Sequence, residues 1–199
     1  MALTPLTSVD DLLERLRSLD GGPTDDVVAA LPHLRQTAEQ LDATETADAE
    51  LVAAGLVHDL ASALELGIAD HAAAGADLVR PLLGARVAEL VGGHTDAKRY
   101  LVTVDPRYAE GLSENSTFTL VGQGGPMRTD EVAAFAARPE VGALVALRRA
   151  DDAAKVAGAI TRPLDEWRPL LEAVAAHHSC SERHPTDPVS DATRAESFG

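Results

Sequence analysis

Histidine residues recur along the chain at a spacing that could build a metal site. His33, His58, His71 and His94 fall in four successive segments with helical periodicity, and Asp59 follows His58 directly. Imidazole and carboxylate ligands together suit Fe, Mn, Zn or Co. One histidine per helix, facing a common centre, is how helical bundles build metal sites. This pattern predicts a metal centre inside a helical domain.

The His58-Asp59 pair interrupts an otherwise apolar stretch, LVAAGLVHDLASALELG at residues 51–67. Burying two ionisable groups costs free energy unless a partner satisfies them. A metal ion would satisfy both side chains, whereas a pair exposed at a helix edge would need no partner. A second candidate carboxylate is Asp151, which interrupts an apolar and basic segment near the end of the chain.

The elements that must position these side chains are predicted to be helices of a single domain, residues 1–178. Hydrophobic residues make up 45% of the chain and aromatic residues 3%, and Ala and Leu predominate, so the fold class is expected to be all-α. Pro32 lies inside the second helical pattern and requires a late start or a kink there. The predicted helices span residues 8–19, 27–41, 48–67, 70–83, 85–100, 129–137, 140–158 and 165–178.

Two segments depart from this helical pattern. Residues 113–127, SENSTFTLVGQGGPM, are polar and rich in glycine, which predicts a long ordered loop before the C-terminal helices, with a short helix preceding it. Loops of this length are uncommon unless they serve a function. Residues 179–199 are polar and have no apolar face, which predicts a disordered C-terminal tail.

The charge and cysteine content narrow the possible partners and compartment. A formal net charge of −15 argues against nucleic acid, which is bound by clustered Lys and Arg. No run approaches the roughly 20 apolar residues that span a bilayer, and residues 1–7 lack the layout of a signal peptide. Cys180 is the only cysteine, which suits a reducing compartment. We therefore expect a cytoplasmic protein that binds neither nucleic acid nor membrane, whose oligomeric state the sequence does not indicate.

The order of the candidate ligands resembles a known signature. His33, His58-Asp59 and Asp151 are similar to the H…HD…D pattern of the HD-domain superfamily, an all-helical fold of metal-dependent phosphohydrolases. With His71 and His94, the set resembles the six-ligand dinuclear HD proteins. More specifically, the chain resembles the HD-domain mixed-valence di-iron oxygenases of phosphonate breakdown, which are related to myo-inositol oxygenase. The motifs that carry this resemblance are HTDAKRYLVTVDPRYAEGLS (94–113), QGGPM (123–127), EVAAFAARP (131–139), LRRADDAAK (147–155) and WRPLLE (167–172).

The resemblance implies a ligand set for two iron ions. His33, His58, Asp59 and Asp151 would hold one iron, and Asp59, His71 and His94 would hold the other, so that Asp59 bridges the pair. The cofactor implied is a mixed-valence Fe(II)/Fe(III) centre that uses O2 as co-substrate.

The family's ligand precedes a lysine by four residues, and Lys155 therefore favours Asp151 over Asp152. Asp152 is then expected to be a carboxylate on the helix surface.

Three further residues are expected to contact a small anionic substrate. Lys98 lies one helical turn beyond His94, matches a family lysine near the substrate, and is a catalytic candidate together with Asp59. Arg148 and Ser116 are candidates for holding phosphonate oxygens, because an arginine fork suits such groups.

The chain also departs from the family pattern. The family usually reads H-D-I-G-H, whereas this chain has Ser62 at the position of the last histidine. The stretch DGGPTDDVVAALPH, residues 20–33, lacks the Tyr and Glu that contact iron and an amino group in relatives, and Asp26 is its nearest acidic counterpart. These differences leave the substrate open.

Three hypotheses for function follow. The first is a di-iron oxygenase that acts on a small hydroxylated substrate, with carbon–phosphorus cleavage of a hydroxyphosphonate as the main candidate. The second is a phosphohydrolase that cleaves a phosphate ester, because two metals can equally activate a bound hydroxide. The third is a non-catalytic helical domain whose metal pair is structural or lost.

Overall fold

All regular elements in the described part of the chain are helices. The computed structural model describes residues 3–21, 28–45, 48–64 and 71–183, and within these ranges the predicted all-α class is confirmed. The elements are α1 (Val9–Ser18), α2 (Ala30–Asp42), α3 (Ala49–Val57), α4 (Leu60–Ala63), α5 (His71–Val104), α6 (Pro106–Glu110), α7 (Glu114–Gly122), α8 (Thr129–Ala136), α9 (Val141–Ala153), a 3₁₀ helix (Leu164–Trp167) and α10 (Arg168–Arg183).

Side-chain caps fix where several of these helices begin. Ser8 accepts a hydrogen bond from the backbone N–H of Asp11 at the start of α1, and Asp48 accepts one from Leu51 at the start of α3. Such caps satisfy backbone donors that have no partner within the helix, and each stabilises a helix by about 1 kcal/mol.

Four helices form the centre of the fold. α5 packs against α3 and α9, and α2 packs against the same two helices. The approach of α3 to α2 is close at Gly55, where a Cβ atom would lie 2.7 Å from Leu41 Cδ1. These four helices carry most of the candidate ligands, so the packing of the core determines the geometry of the site.

The second helix starts late, which was one of the two alternatives that Pro32 required. α2 begins at Ala30, which places Pro32 in its first turn. Proline is tolerated there because the first N–H groups of a helix have no intrahelical acceptor.

The helix predicted over residues 48–67 is broken in the middle. α3 ends at Val57, and Asp59 leaves helical geometry, with φ −107° and ψ 13°, before the short α4 begins at Leu60. Adjacent side chains on a regular helix point about 100° apart. The break at Asp59 changes this angle between the side chains of His58 and Asp59. The prediction of one continuous helix was wrong at the residues that matter most, and its end at Gly67 lies outside the described residues.

A sharp bend divides α5 where the sequence analysis placed a boundary between two helices. Gly84 has φ 91° and ψ 176°, so it is the one non-helical residue between His71 and Val104. Only glycine adopts this backbone region readily. The second half continues to Val104 rather than ending at Tyr100.

The long loop predicted over residues 113–127 is largely wrong. α7 occupies Glu114–Gly122, and Ser113 caps it by accepting a hydrogen bond from the Ser116 N–H. Its apolar residues are split between a buried Leu120 and an exposed Phe118, which hid the helical period. The part that remains a loop contains Gly124 and Gly125, both with positive φ.

The C-terminal boundaries also differ from the predictions. α9 ends at Ala153 rather than Gly158, and the next residues turn toward α2, where the Val156 N–H donates to Gln36 Oε1 over 3.0 Å. α10 extends to Arg183, so residues 179–183 are helical and the tail prediction was wrong for them. Residues 184–199 lie outside the described part of the chain. None of the described helices is both long and apolar enough to cross a bilayer.

Candidate metal centre

The structure brings the six predicted ligands together from three helices and one break between helices. α2 contributes one histidine, α5 contributes two, α9 contributes an aspartate, and the His-Asp pair occupies the junction of α3 and α4. The six residues are His33, His58, Asp59, His71, His94 and Asp151.

The first group, here called the His33 cluster, contains His33, His58, Asp59 and Asp151. His33 Nε2 lies 3.3 Å from Asp151 Oδ1, and His58 Nε2 lies 3.9 Å from Asp151 Oδ2. His58 Nε2 is also 3.6 Å from Asp59 Oδ2. Ligands at about 2.0–2.2 Å from a common ion lie roughly 3–3.5 Å from one another. The spacing of this cluster is therefore close to that of a coordination sphere.

The second group, the His71 cluster, contains Asp59, His71 and His94. Asp59 Oδ1 lies 3.4 Å from His71 Nε2 and 3.3 Å from His94 Nε2. The two imidazole nitrogens are 3.2 Å apart. The donor atoms of Asp59 lie within 4.8 Å of those of His33 and His58 in one group and of those of His71 and His94 in the other. A carboxylate shared in this way can bridge two ions.

Backbone carbonyls orient three of the imidazole rings. His33 Nδ1 lies 3.0 Å from the Ala154 carbonyl oxygen, His58 Nδ1 lies 2.9 Å from that of Gly55, and His94 Nδ1 lies 2.7 Å from that of Val91. A hydrogen bond donated from Nδ1 fixes the tautomer in which Nε2 carries a lone pair. Each of these rings then presents its Nε2 lone pair to the centre.

Two buried polar atoms at the centre fit a metal ion. Among the described residues, His58 Nε2 and Asp59 Oδ1 are buried and have no hydrogen-bond partner. Leaving such atoms unsatisfied costs about 1–3 kcal/mol each. A cation bound between the two clusters would satisfy both atoms, so the residues present fit a metal pair.

The ionisation states of His58 and Asp59 also favour metal binding. Burial lowers the pKa of His58 to about 4, so its ring is neutral at physiological pH. Burial alone would raise the pKa of Asp59, but the adjacent His58 and His94 hold it below its usual range. Neutral imidazole and ionised carboxylate are the forms that coordinate metals.

Lys98 is buried next to the two clusters. Its side chain lies on α5, one turn after His94, and its Nζ donates to Thr119 Oγ1 over 2.8 Å and to the Ser116 carbonyl over 3.3 Å. Burial, followed by the nearby charge of Arg148, lowers its pKa to about 8. The predicted substrate-binding lysine is therefore held by α7.

Arg148 is buried and has several acidic partners. Its Nη1 donates to Asp151 Oδ2 over 2.6 Å, and its Nη2 donates to Ser116 Oγ over 3.2 Å. It also pairs with Asp152, four residues later. The structure thus brings Arg148 and Ser116 together, as expected for shared contacts to an anion, but it also ties Arg148 to a candidate metal ligand.

The sequence reasoning missed several polar residues around this arginine. Asp152 was expected on the helix surface, but its side chain is 24% exposed and accepts a hydrogen bond from the Tyr108 hydroxyl over 2.6 Å. The i, i+4 spacing of Arg148 and Asp152 was the feature of the sequence that could have predicted their pairing. Tyr108 and Thr119 lay in segments with no clear period. Ser62 lies on α4 and Asp26 falls outside the described residues.

Comparisons with known proteins indicate the family to which the chain belongs. Residues 27–119 match the family described as HD domain. A protein of Gimesia maris (strain ATCC 29201 / DSM 8797 / 534-30) named hydroxymethylphosphonate dioxygenase is 33% identical over 187 residues, which cover 89% of this chain and 92% of that protein. The chain belongs to the HD-domain family. The resemblance to HD-domain phosphonate oxygenases is thereby confirmed.

Two further relatives of this HD-domain protein match a smaller part of it. A [1-hydroxy-2-(trimethylamino)ethyl]phosphonate dioxygenase (glycine-betaine-forming) of Leisingera caerulea is 31% identical over 138 residues, covering 65% of this chain and 70% of the relative. An uncharacterised protein of Acanthamoeba polyphaga mimivirus is 32% identical over 133 residues, covering 61% of each. Two relatives are thus named for dioxygenation of a phosphonate.

Proposed function

We propose that this HD-domain protein is a dinuclear-iron oxygenase that uses O2 to cleave the carbon–phosphorus bond of a small hydroxyphosphonate. The observation that carries the proposal is the sharing of Asp59 between the His33 cluster and the His71 cluster. The names of two relatives, both phosphonate dioxygenases, supply the reaction class.

The proposed ligands divide between two ions. His33, His58, Asp59 and Asp151 hold one iron, and Asp59 with His71 and His94 holds the other. Four imidazoles and two carboxylates leave coordination positions open, which is a property of catalytic rather than structural metals. When bound, a pair of irons with these ligands supplies a site for O2 and for the substrate oxygens. The Asp59 side chain is 34% exposed, which is consistent with access for a small molecule.

The protein's own cations recognise the phosphonate in this proposal. Lys98 and Arg148 are both buried, at 2% and 4% exposure, and desolvated cations attract an anion more strongly than exposed ones do. Ser116 adds a hydroxyl whose oxygen already accepts from Arg148, so its own proton is available to a phosphonate oxygen.

The proposed reaction balances without a further reductant. Oxidative cleavage of the carbon–phosphorus bond of hydroxymethylphosphonate would give formate and phosphate, which together contain two more oxygen atoms than the substrate. One O2 supplies both atoms. The carbon loses its bond to phosphorus and gains a second oxygen, and this oxidation uses the four electrons that O2 accepts.

A phosphohydrolase is the second candidate, because the same ligands and the buried cations would also hold a phosphate ester. Two metals near 3.5–4 Å apart can activate a bound hydroxide in such enzymes. Hydrolysis releases phosphate without consuming O2, so the two activities separate in one assay.

The test uses untagged protein purified without added metal and then loaded with Fe(II). O2 consumption and phosphate release are followed with hydroxymethylphosphonate and, separately, with a phosphate monoester. Equal rates of O2 uptake and phosphate release from the phosphonate, both lost under anaerobic conditions, support the oxygenase. Phosphate release from the ester in the absence of O2 supports the hydrolase. Iron-loaded protein that turns over neither compound nor other hydroxyphosphonates contradicts the oxygenase.

A further inference from the structure

A tyrosine, an aspartate and an arginine form a partly buried network beside the His33 cluster. The Tyr108 hydroxyl, on α6, donates to Asp152 Oδ2 over 2.6 Å. Arg148 Nε, on α9, donates to the Tyr108 oxygen over 2.8 Å and to Asp152 Oδ2 over 3.0 Å. The hydroxyl therefore both accepts from the cation and donates to the anion. Burial raises the pKa of Tyr108, so its proton is retained.

The other end of the guanidinium faces a candidate metal ligand. Arg148 Nη1 donates to Asp151 Oδ2 over 2.6 Å, while the second oxygen of Asp151 lies 3.3 Å from His33 Nε2. Arg148 Nη2 donates to Ser116 Oγ and to Asp152. The planar guanidinium of Arg148 thus joins the Tyr108–Asp152 pair to the Asp151 carboxylate of the His33 cluster.

The planarity of guanidinium makes this connection directional. Its five N–H groups lie in one plane in a rigid fork, so a hydrogen bond on the Nε side restricts where the Nη1 and Nη2 donors point. Acceptors on α6, α7 and α9 contact three edges of the Arg148 fork. Loss of either Nε-side acceptor, Tyr108 or Asp152, would loosen the orientation of the guanidinium, and Asp151 could then turn away from the position that a metal requires.

We propose that Tyr108 and Asp152 are positioning residues that orient Arg148 against Asp151 and thereby set the metal affinity of the His33 cluster. This inference rests on the proposed function in taking Asp151 as a metal ligand. Partners of this kind commonly change metal affinity or activity by about 10–100-fold when they are removed. Arg148 donates to Asp151, which belongs to the His33 cluster and not to the His71 cluster, so the metal affinity of the His71 cluster should depend less on Tyr108.

The chain offers a matched control for this tyrosine. Its second tyrosine, Tyr100, stacks against Phe135 with ring centroids 4.8 Å apart, and within the described residues its hydroxyl makes no hydrogen bond to the metal clusters. Tyr108→Phe and Tyr100→Phe therefore remove the same atom from two environments. A merely structural role of Tyr108, anchoring α6 to α9, would lower the unfolding temperature without changing one metal site selectively.

The experiment compares metal affinities of the full chain after the metal has been stripped. Mn²⁺ is titrated calorimetrically into wild type and both variants, and the unfolding temperature of each is recorded. We expect Tyr108→Phe to weaken one of the two sites by about tenfold and to weaken the other site by less, because the two sites are linked through the shared Asp59. Tyr100→Phe should leave both affinities unchanged. Equal affinities in wild type and Tyr108→Phe would overturn the inference.

A second variant keeps the test valid if Tyr108→Phe folds poorly. Asp152→Asn keeps the shape of the side chain and removes its charge, and it should weaken the same site. In the double variant the loss should be smaller than the sum of the two single losses, because both residues act through Arg148. Losses that add would contradict the shared role. Wild-type protein that binds no metal would instead contradict the proposed function, which separates the two failures.

Discussion

At the scale of residues, Asp59 is the side chain on which the metal pair depends. Its Oδ1 is buried without a hydrogen-bond partner within the described part of the protein, yet it lies within 3.4 Å of two imidazole nitrogens. An anion in this position is stable only with a cation beside it. In our account that cation is a metal ion shared with the His33 cluster.

Replacing His71 tests whether the two clusters bind separately. His71→Ala removes one of three ligands from the His71 cluster and none from the His33 cluster. We expect the variant to retain about one metal ion per chain where wild type holds about two. Metal content measured by mass spectrometry checks this. His177→Ala, an exposed histidine on α10, is the matched control and should retain both ions, and a His71→Ala variant that also retains both would contradict the ligand assignment.

The pKa of Lys98 predicts how anion binding depends on pH. Burial lowers this pKa to about 8, so the ammonium is charged below pH 8 and neutral above it. Attraction for an anion should therefore be complete at lower pH and decline as pH rises through 8. Binding of methylphosphonate, followed by calorimetry between pH 6.5 and 9.5, measures the effect.

Lys98→Arg provides the comparison for that titration. The guanidinium stays charged beyond pH 12, so the decline near pH 8 should disappear if the variant binds methylphosphonate. A decline that persists unchanged in Lys98→Arg would assign the titration to another group.

At the scale of elements, periodicity predicted most helices, but it failed where polar contacts replace apolar packing. The helix over residues 48–67 looked continuous because its apolar residues resume directly after His58-Asp59, and periodicity carries no signal for the break at Asp59. α7 was predicted as a loop because its sequence is polar and shows no helical period, and the structure explains this since only Leu120 and Ser116 of its residues are buried. This helix is held by polar contacts to Lys98 and Arg148 instead.

The sequence predicted the residues of the candidate site more accurately than it predicted the helix boundaries. Histidine and aspartate spacing, with the family resemblance, identified the six residues that the structure brings together. The residues around Arg148 could not be found this way, because Tyr108 reaches Asp152 across 44 positions of sequence. Such a contact depends on how α6 packs on α9, which a one-dimensional pattern does not encode.

The bend in α5 gives a prediction about stability. Gly84 has φ 91°, and a Cβ atom there would lie 3.1 Å from His178 Cγ. Gly84→Ala should therefore lower the free energy of unfolding by about 1–3 kcal/mol, because alanine is strained in this backbone region. Urea denaturation measures the change.

Gly142→Ala is the control for this substitution. Gly142 is an exposed residue within α9, and a Cβ atom there would meet nothing within 4 Å. Alanine should stabilise the helix at this position by about 0.5–1 kcal/mol. Changes of the same sign in the free energy of unfolding of both variants would contradict a requirement for glycine at the bend.

At the scale of the whole molecule, the metal pair links four helices that otherwise meet through apolar packing. Ligands from α2, the α3–α4 junction, α5 and α9 converge on one centre, so binding should stabilise the entire domain. A metal at about 100 times its dissociation constant adds roughly 2.7 kcal/mol, or about 5–10 °C in unfolding temperature for a domain of this size.

Scanning calorimetry with Mn²⁺ and with a chelator measures this stabilisation. The double variant His33→Ala/His71→Ala should lose most of the response to metal, because each cluster lacks a ligand. An equal response in wild type and the double variant would mean that the ions bind elsewhere.

The most direct test of the central claim is the iron content of the intact, untagged chain after anaerobic loading with Fe(II) and removal of excess metal. Our account predicts about two irons per chain, as a dinuclear site requires. A chain that saturates at one iron or holds none would contradict a shared Asp59 between two ions.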